Sequence, residues 1–492
     1  MEEEEDTNLL LDAINAVNDV FWTYLVIPLL ALVGVYYTVR SGGVQFRMIP
    51  EMIRNLRGSP ERAPDGKRAI SSFQAFSISA AARVGTGNVA GVAIAIALGG
   101  PGAVFWMWLM GMVVGSISFI ESTLAQLFKV RDRAGYRGGP AYYMRYGLKK
   151  PWLGTLFAVV MIFTFSATFN MVQANSITDV VGNSVSAATG DDTAAGWVAP
   201  VVGLALVAVV ALVVFGGVRR IATVAQATVP FMALFYVLLG LVVVGINIDQ
   251  VPGVLADIVG SAFGFREVGA AAVGTAIMQG IQRGMFSNEA GMGSAPNAGA
   301  TAGVSHPVKQ GLAQTFGVYF DTLIVCSVTA FIILTSDPVY GEEIGAALTQ
   351  NSLENTLGTW SLHLLTFIVV LLCFTSVLGN FYYGEANLRY LTTDERALPI
   401  FRLAVIGILF LGAVSSLQLV WDFANVTMGL MAVVNLVAVA PLGMLAVRLL
   451  HDYRQQRARG LDPVFLRESM PDIDGVQCWD GQPERVPETE RL

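Results

Sequence analysis

Apolar runs of about 20 residues, the length of helix that crosses the hydrocarbon core of a bilayer, recur along almost the whole chain. Eleven stand out, near residues 20–40, 72–98, 102–129, 152–181, 197–216, 221–246, 269–291, 310–335, 360–390, 399–416 and 422–450. The short alternating segments of a membrane barrel are not the pattern seen. The expected fold is an all-α polytopic membrane protein with about eleven transmembrane helices.

The polar segments between the runs fix an orientation. Arg40, Arg47, Arg54, Arg57, Arg62, Lys67 and Arg68 cluster in one, and Lys129, Arg131, Arg133, Arg137, Arg145, Lys149 and Lys150 in another. Arg219, Arg220, Lys309, Arg389, Arg396, Arg402 and the run Arg448 to Arg459 continue the series, always on one side of an eleven-span chain. The other side carries "GDDTAAG", "NIDQ" and "SDPVYGEE". Loops rich in Lys and Arg stay in the cytoplasm, so a cell-membrane protein with its N-terminus outside and C-terminus inside is expected. The segments read as an acidic exterior N-terminus (1–19), a first helix (20–40), a basic loop (41–71), two five-helix units (72–246 and 269–450) separated by an exterior amphipathic segment (247–268), and a cytoplasmic tail (451–492) that is expected to be flexible over 461–492.

Two runs are interrupted by glycine at mid-depth: "RVGTGNVAG" (83–91) and "GTAIMQGIQRG" (274–284). They enter from opposite sides, five spans apart, which is the mark of an inverted repeat with discontinuous helices. One extra N-terminal helix then precedes a 5+5 core. A helix broken inside a bilayer leaves backbone groups that must line a cavity or meet a ligand. Carbonyls from Ala81 to Val84 can coordinate a cation. Amides around Thr86, Gly87 and Asn88, at the positive end of a half-helix, suit a carboxylate. Carbonyls from Thr275 to Met278 suit an ammonium. A zwitterionic amino acid beside Na⁺ meets all three.

Composition narrows this further. Of 492 residues, 54% are hydrophobic and 14% charged, with a net charge of −7, so nucleic acid is not an implied partner. Three dispersed cysteines and three dispersed histidines build neither a disulfide framework nor a transition-metal centre. No Walker motif points to ATP, no nucleophile–base constellation to an enzyme, and no organic cofactor is implied. A channel would call for a polar ring along a pore, and a sensor for an output domain.

Long motifs carry a resemblance. "SFQAFSISAAARVGTGNVAGVAIAIALGGPGAVFWMW" (72–108), "YRGGPAYYM" (136–144), "RGMFSNEAGMGSAPNAGA" (283–300), "HPVKQG" (306–311), "FDT" (320–322) and "SVLGNFYYGE" (376–385) resemble the alanine or glycine:cation symporter family over about residues 15–450. The resemblance implies a LeuT-type fold and Na⁺-coupled import of alanine or glycine at a mid-membrane site by alternating access, with H⁺ coupling or another small amino acid as the alternative. It implies a sodium site at Asn88, a second one from Ala81, Val84, Thr375 and Ser376, and a substrate contact at Gln173. The family often carries tryptophan where this chain has Gln279 and Asn380, which implies a larger or more polar pocket, while Gly85, Gly87, Gly274, Thr275 and Gly280 restrict its room. Charges inside spans are costly unless paired or hydrated, so Arg83 is expected in an inner gate with Asp321, Glu121 or Glu289, and Glu385 is expected to pair or to face water.

Overall fold

The computed structural model describes residues 18–57, 69–132, 135–190, 194–265, 270–336, 338 and 345–480. Most of residues 1–19, part of the loop 41–71 and the last twelve residues of the tail lie outside the described residues.

The apolar runs are helices: α1 (Asn18–Arg40), the pair α2 (Ser72–Arg83) and α3 (Gly87–Gly99), α4 (Gly102–Leu127), α5 (Pro151–Thr189), α6 (Gly196–Val214) and α7 (Arg220–Ile246). Then come α8 (Val251–Ala262), α9 (Ala270–Asn288), α10 (Ala295–Gly299), α11 (Pro307–Leu334), α12 (Ala346–Leu357), α13 (Thr359–Leu391), α14 (Ala397–Val414) and α15 (Leu417–Ala458). Among the described residues nine helices are long and apolar enough to cross a membrane, ten when the bent pair α2/α3 counts as one. The span at 269–291 falls short of that measure because α9 carries Gln279, Gln282, Arg283, Ser287 and Asn288 among few large apolar residues.

Local chemistry sets the ends. Ser71 and Gln74 form a reciprocal capping box at the start of α2, satisfying donors that a helix start leaves open. Pro151 and Pro307 open α5 and α11, where proline costs no hydrogen bond. The first helix packs along α4 and α15: Tyr37 Oη donates to Ala440 O at 2.6 Å and Trp22 Nε1 to Asn425 O at 3.2 Å. On the face opposite the basic segments, α8 buries Val254, Ile258 and Ala262 against the bundle, and Trp106 donates to Ala262 O. Helix α12 was not foreseen. It closes over the same end, with Thr349 reaching Val89 O and Gln350 Nε2 donating to Val180 O.

The tail corrects the expectation of flexibility over its described part. Residues 461–480 fold back on the basic end of the bundle. Phe465 N donates to Ser305 O at 2.8 Å, Trp479 Nε1 donates to Gln126 O at 3.3 Å, and the Lys129 ammonium lies 4.2 Å from the Trp479 ring. Phe465, Ile473, Val476 and Cys478 are buried. Arg448 grips Asp472 with both terminal nitrogens, and Lys149 pairs with Asp474.

Candidate functional site

The chain leaves helix α2 at Val84 (φ −83°, ψ 88°) and re-enters at Thr86, so α2 and α3 meet at 50°. The glycines allow close approach. A Cβ on Gly85 would overlap Ser376 Oγ and lie 3.0 Å from Gln173 Oε1; one on Gly87 would meet Phe286 at 2.9 Å and Ser287 Cα at 3.0 Å.

The break's polar groups are met by side chains from four other helices. Gly85 N–H donates to Asn88 Oδ1 at 2.9 Å. Thr86 N–H and Oγ1 both donate to Gln173 Oε1, at 3.1 and 2.7 Å, and Thr86 Oγ1 also touches Cys373 Sγ. Asn88 Nδ2 donates to Asp321 Oδ1 at 2.6 Å and Ser287 Oγ at 2.8 Å, and Ser287 Oγ donates to Asp321 Oδ2 at 2.6 Å. Ser376 Oγ donates to Ala81 O at 2.8 Å and reaches Val84 O at 3.4 Å. Ala81, Val84, Gln173, Ser376 and Asn88 are therefore brought together. The Thr375 hydroxyl turns back to Leu372 O of its own helix, the ordinary habit of a helical threonine.

The second break differs in place from the one expected. Helix α9 runs unbroken through Thr275, Met278, Gln279 and Gly280 to Asn288, so the carbonyls at 275–278 do not end a half-helix. Two of its glycines serve packing: a Cβ on Gly280 would strike Ala103 O, and one on Gly284 would lie 3.0 Å from Met107 Cγ. The residues of α9 that reach the first break are Phe286 and Ser287. The chain unwinds at 289–294, where Glu289 (φ 57°), Gly291 (φ 88°) and Gly293 (φ 77°) are left-handed, a conformation costly for any residue with a Cβ. Buried groups hold this loop: Glu121 Oε1 accepts from Gly291 N, Asn435 Nδ2 donates to Gly291 O and to Glu121 Oε2, Tyr143 Oη donates to Asn435 Oδ1, and Ser294 Oγ donates to Glu289 Oε2.

The expected gate pairs are not formed in this conformation. Arg83 is buried, donates through Nη1 to Gln314 O at 3.1 Å, and has no hydrogen-bond partner at Nε or Nη2 among the described residues. Asp321 is engaged with Asn88 and Ser287, and Glu121 and Glu289 with the second break. Glu385 pairs with Arg389 and Arg402 at 3.0 and 3.2 Å. An aromatic wall adjoins the first break: Phe286 lies 4.3 Å from Phe169 and 4.6 Å from Trp421, ring centre to ring centre.

Ser287, Phe286, Cys373 and Asn435 escaped the sequence reading. The first two sit inside the quoted stretch "RGMFSNEAGMG", whose paired glycines 291 and 293 were the available signal for the true break.

The arrangement groups hard oxygen donors in two places, at Asn88, Ser287 and Asp321 and at Ala81, Val84 and Ser376, the chemistry that suits Na⁺ over softer ions. Between them, amide and hydroxyl donors of Thr86 converge on one carbonyl oxygen, the geometry that takes a carboxylate.

Residues 7–467 match the Sodium:alanine symporter family. The chain is 47% identical over 473 residues to the probable sodium/glutamine symporter GlnT of Bacillus subtilis, covering 96% of each protein. It is 36% identical to the sodium/alanine symporter AgcS of Methanococcus maripaludis, over 88% of this chain and 95% of that one. The solved structure of MhsT in complex with L-phenylalanine superposes with a TM-score of 0.53 at 12% identity, covering 80% of this chain and 96% of that one. The likeness to MhsT is one of fold, and the architecture is LeuT-type.

Proposed function

From its membership of the sodium:alanine symporter family, and hence of the sodium-coupled amino-acid carriers, we propose that this chain imports a small neutral amino acid with Na⁺ at the break between α2 and α3. Alanine and glycine are the first candidates. The observation that carries the reading is Asn88: one amide side chain joins the unwound backbone at Gly85 to Ser287 on α9 and Asp321 on α11. An ion drawn to the Asp321 carboxylate and the Asn88 and Ser287 oxygens would pull three helices together and shape the adjoining amino-acid site.

The substrate carboxylate replaces Gln173 Oε1 on the Thr86 amide and hydroxyl, and its ammonium faces carbonyls of the unwound segments. A second Na⁺ is held by Ala81 O, Val84 O and Ser376 Oγ. Each ligand raises the other's affinity by the same factor, as linkage demands. With the basic loops in the cytoplasm and the C-terminus inside, alternate opening of the two sides of the break moves both inward.

Uptake of labelled alanine, glycine and larger neutral amino acids into proteoliposomes, under inward Na⁺ or inward H⁺ gradients, tests the reading. Accumulation under the Na⁺ gradient alone is the expected result. Accumulation under the H⁺ gradient alone would replace sodium with proton coupling, and none under either would refute symport.

A further inference from the structure

The start of α2 is tied to the rest of the basic end by a small knot of backbone and side chain. Ile70, just before α2, forms a parallel bridge with Ala302, and Gly303 N donates to Ile70 O at 3.0 Å. Ala302 O in turn accepts from Gln126 Nε2 at 3.0 Å and from the Lys129 ammonium at 3.3 Å, at and just past the end of α4.

The tail segment 461–480 is seated on this knot. Trp479 packs on the cluster of Ile70, Ala75, Ala302 and Val304. Its Nε1 bonds Gln126 O, and the Lys129 ammonium lies 4.2 Å from its ring and 3.9 Å from that of Tyr136. At the other end of the segment, Phe465 N donates to Ser305 O and Ser305 Oγ donates to Pro463 O, both at 2.8 Å. The two ends hold each other: Arg467 N donates to Trp479 O at 2.9 Å, and the rings of Phe465 and Trp479 meet edge to face at 5.7 Å. The ion pairs to Lys149 and Arg448 are exposed, where such pairs add little. The buried Phe465 and the partly buried Trp479 therefore carry the grip.

What the segment grips is the inner wall of the first break. Helix α2 is buried from Ser77 to Arg83. It lies on α11 through Gln310 Nε2 to Ser72 Oγ at 2.7 Å, Ser79 Oγ to Gln314 Oε1 at 2.6 Å and Arg83 to Gln314 O. A route from the break along α2 to the basic end, assigned above to the cytoplasm, opens when α2 separates from α11 and from residues 300–306. That motion pulls Ile70 from Ala302 and takes apart the surface on which Trp479 is packed.

We propose that residues 461–480 are an autoinhibitory strap: docked, they hold the start of α2 against residues 300–306 and restrain opening of the site toward the cytoplasm. The strap goes beyond the symport reading and depends on it for only one of two readouts.

Amide hydrogen exchange of the full chain in nanodiscs reads the strap and α2 separately. In the wild type the amides of Phe465 and Arg467 are expected to be protected; exchange there at the rate of an unstructured peptide overturns the proposal without any variant. In Trp479→Ala, exchange over residues 70–83 is expected to speed by about tenfold or more, with α14 unchanged. Faster exchange confined to 461–480 would show a segment that undocks without freeing α2, and overturns the strap. The maximal rate of Na⁺-driven alanine uptake into proteoliposomes is expected to rise by about twofold or more in the same variant, as when opening of a lid limits turnover. An unchanged or lower rate would show a segment that supports the inner end rather than restrains it. Absence of uptake of any neutral amino acid by the wild type brings down the symport reading and leaves exchange to decide the strap. Phe465→Ala, read in the same two ways, takes the place of Trp479→Ala if that variant does not fold.

Discussion

Asn88 and Asp321, 233 residues apart in sequence, meet side chain to side chain at 2.6 Å in the middle of the bundle. The contact ties the broken helix pair to α11, and Ser287 closes the triangle from α9. Asp321 brings to this triangle a carboxylate that no cation neutralises within ion-pair distance among the described residues.

Asp321→Asn preserves shape and removes that charge. The attraction for a cation at close range in a partly dry site is worth several kcal/mol at most. The apparent KM for Na⁺ should rise by at least about tenfold, with the substrate KM at saturating Na⁺ changing less. Na⁺-concentration dependence of uptake checks this, and an unaltered Na⁺ dependence would remove Asp321 from the ion site.

The two neighbouring hydroxyls on α13 should separate. Ser376 reaches the carbonyls of Ala81 and Val84, while the Thr375 hydroxyl is spent on Leu372 O. Ser376→Ala should weaken Na⁺ dependence by about tenfold or more, the usual scale for one lost oxygen ligand or hydrogen bond in a buried site. Thr375→Val should change it by less than about threefold. Equal effects would mean that Thr375 rotates into the ion site during transport.

How far these relationships were legible follows from particular residues. The first break was visible because glycines 85 and 87 flank a threonine and precede an asparagine inside an apolar run, where few other reasons exist for that composition. The second was misplaced by about three turns. Gly274, Gly280 and Gly284 read as interruptions, but Gly280 and Gly284 let α4 approach at Ala103 and Met107, and a packing glycine has the same letter as a breaking one. A left-handed Glu289 leaves no trace in the sequence. The partner of Arg83 was equally hidden, because the charge pattern pointed to three carboxylates while the structure gives its Nη1 the backbone carbonyl of Gln314. The tail misled by its polarity: five residues, Phe465, Ile473, Val476, Cys478 and Trp479, anchor it without helical or strand spacing.

That anchoring is measurable. Cys478 is 2% exposed beneath the strap. In the purified protein a bulky maleimide should label it slowly, and Trp479→Ala, which removes the contacts to Gln126 and Lys129, should speed labelling by about tenfold or more through local opening. Labelling of the wild type as fast as in denaturant would show that the strap does not stay docked.

His306, in the turn before α11, gives a pH dependence with a definite sign. Its Nδ1 accepts from Val308 N, so Nε2 carries the proton and faces Asp452 at 3.1 Å. Burial lowers its pKa from the usual 6.5, opposed by the Asp452 contact; Lys309 and Asp462 are the other charges nearby. The unfolded chain therefore takes up a proton that the folded one refuses. Stability from this group is complete above about pH 6.5 and is lost as pH falls from there toward the folded value. Each tenfold difference in proton affinity between the unfolded and folded chain is worth about 1.4 kcal/mol. Thermal unfolding between pH 7 and pH 5 should show a falling Tm, and His306→Asn, which keeps an acceptor for the helix start, should flatten part of that fall. An identical slope in the variant would assign the effect elsewhere.

The central claim is that Na⁺ and an amino acid cross together through a site organised by Asn88. Its most direct test is simultaneous uptake of radioactive sodium and labelled amino acid by the same proteoliposomes, with wild type and Asn88→Ala in parallel. The account predicts that each substrate stimulates uptake of the other in a fixed ratio, and that the variant loses both fluxes together. Amino-acid entry that proceeds without sodium entry, or a variant that keeps the wild-type ratio and rate, would contradict it.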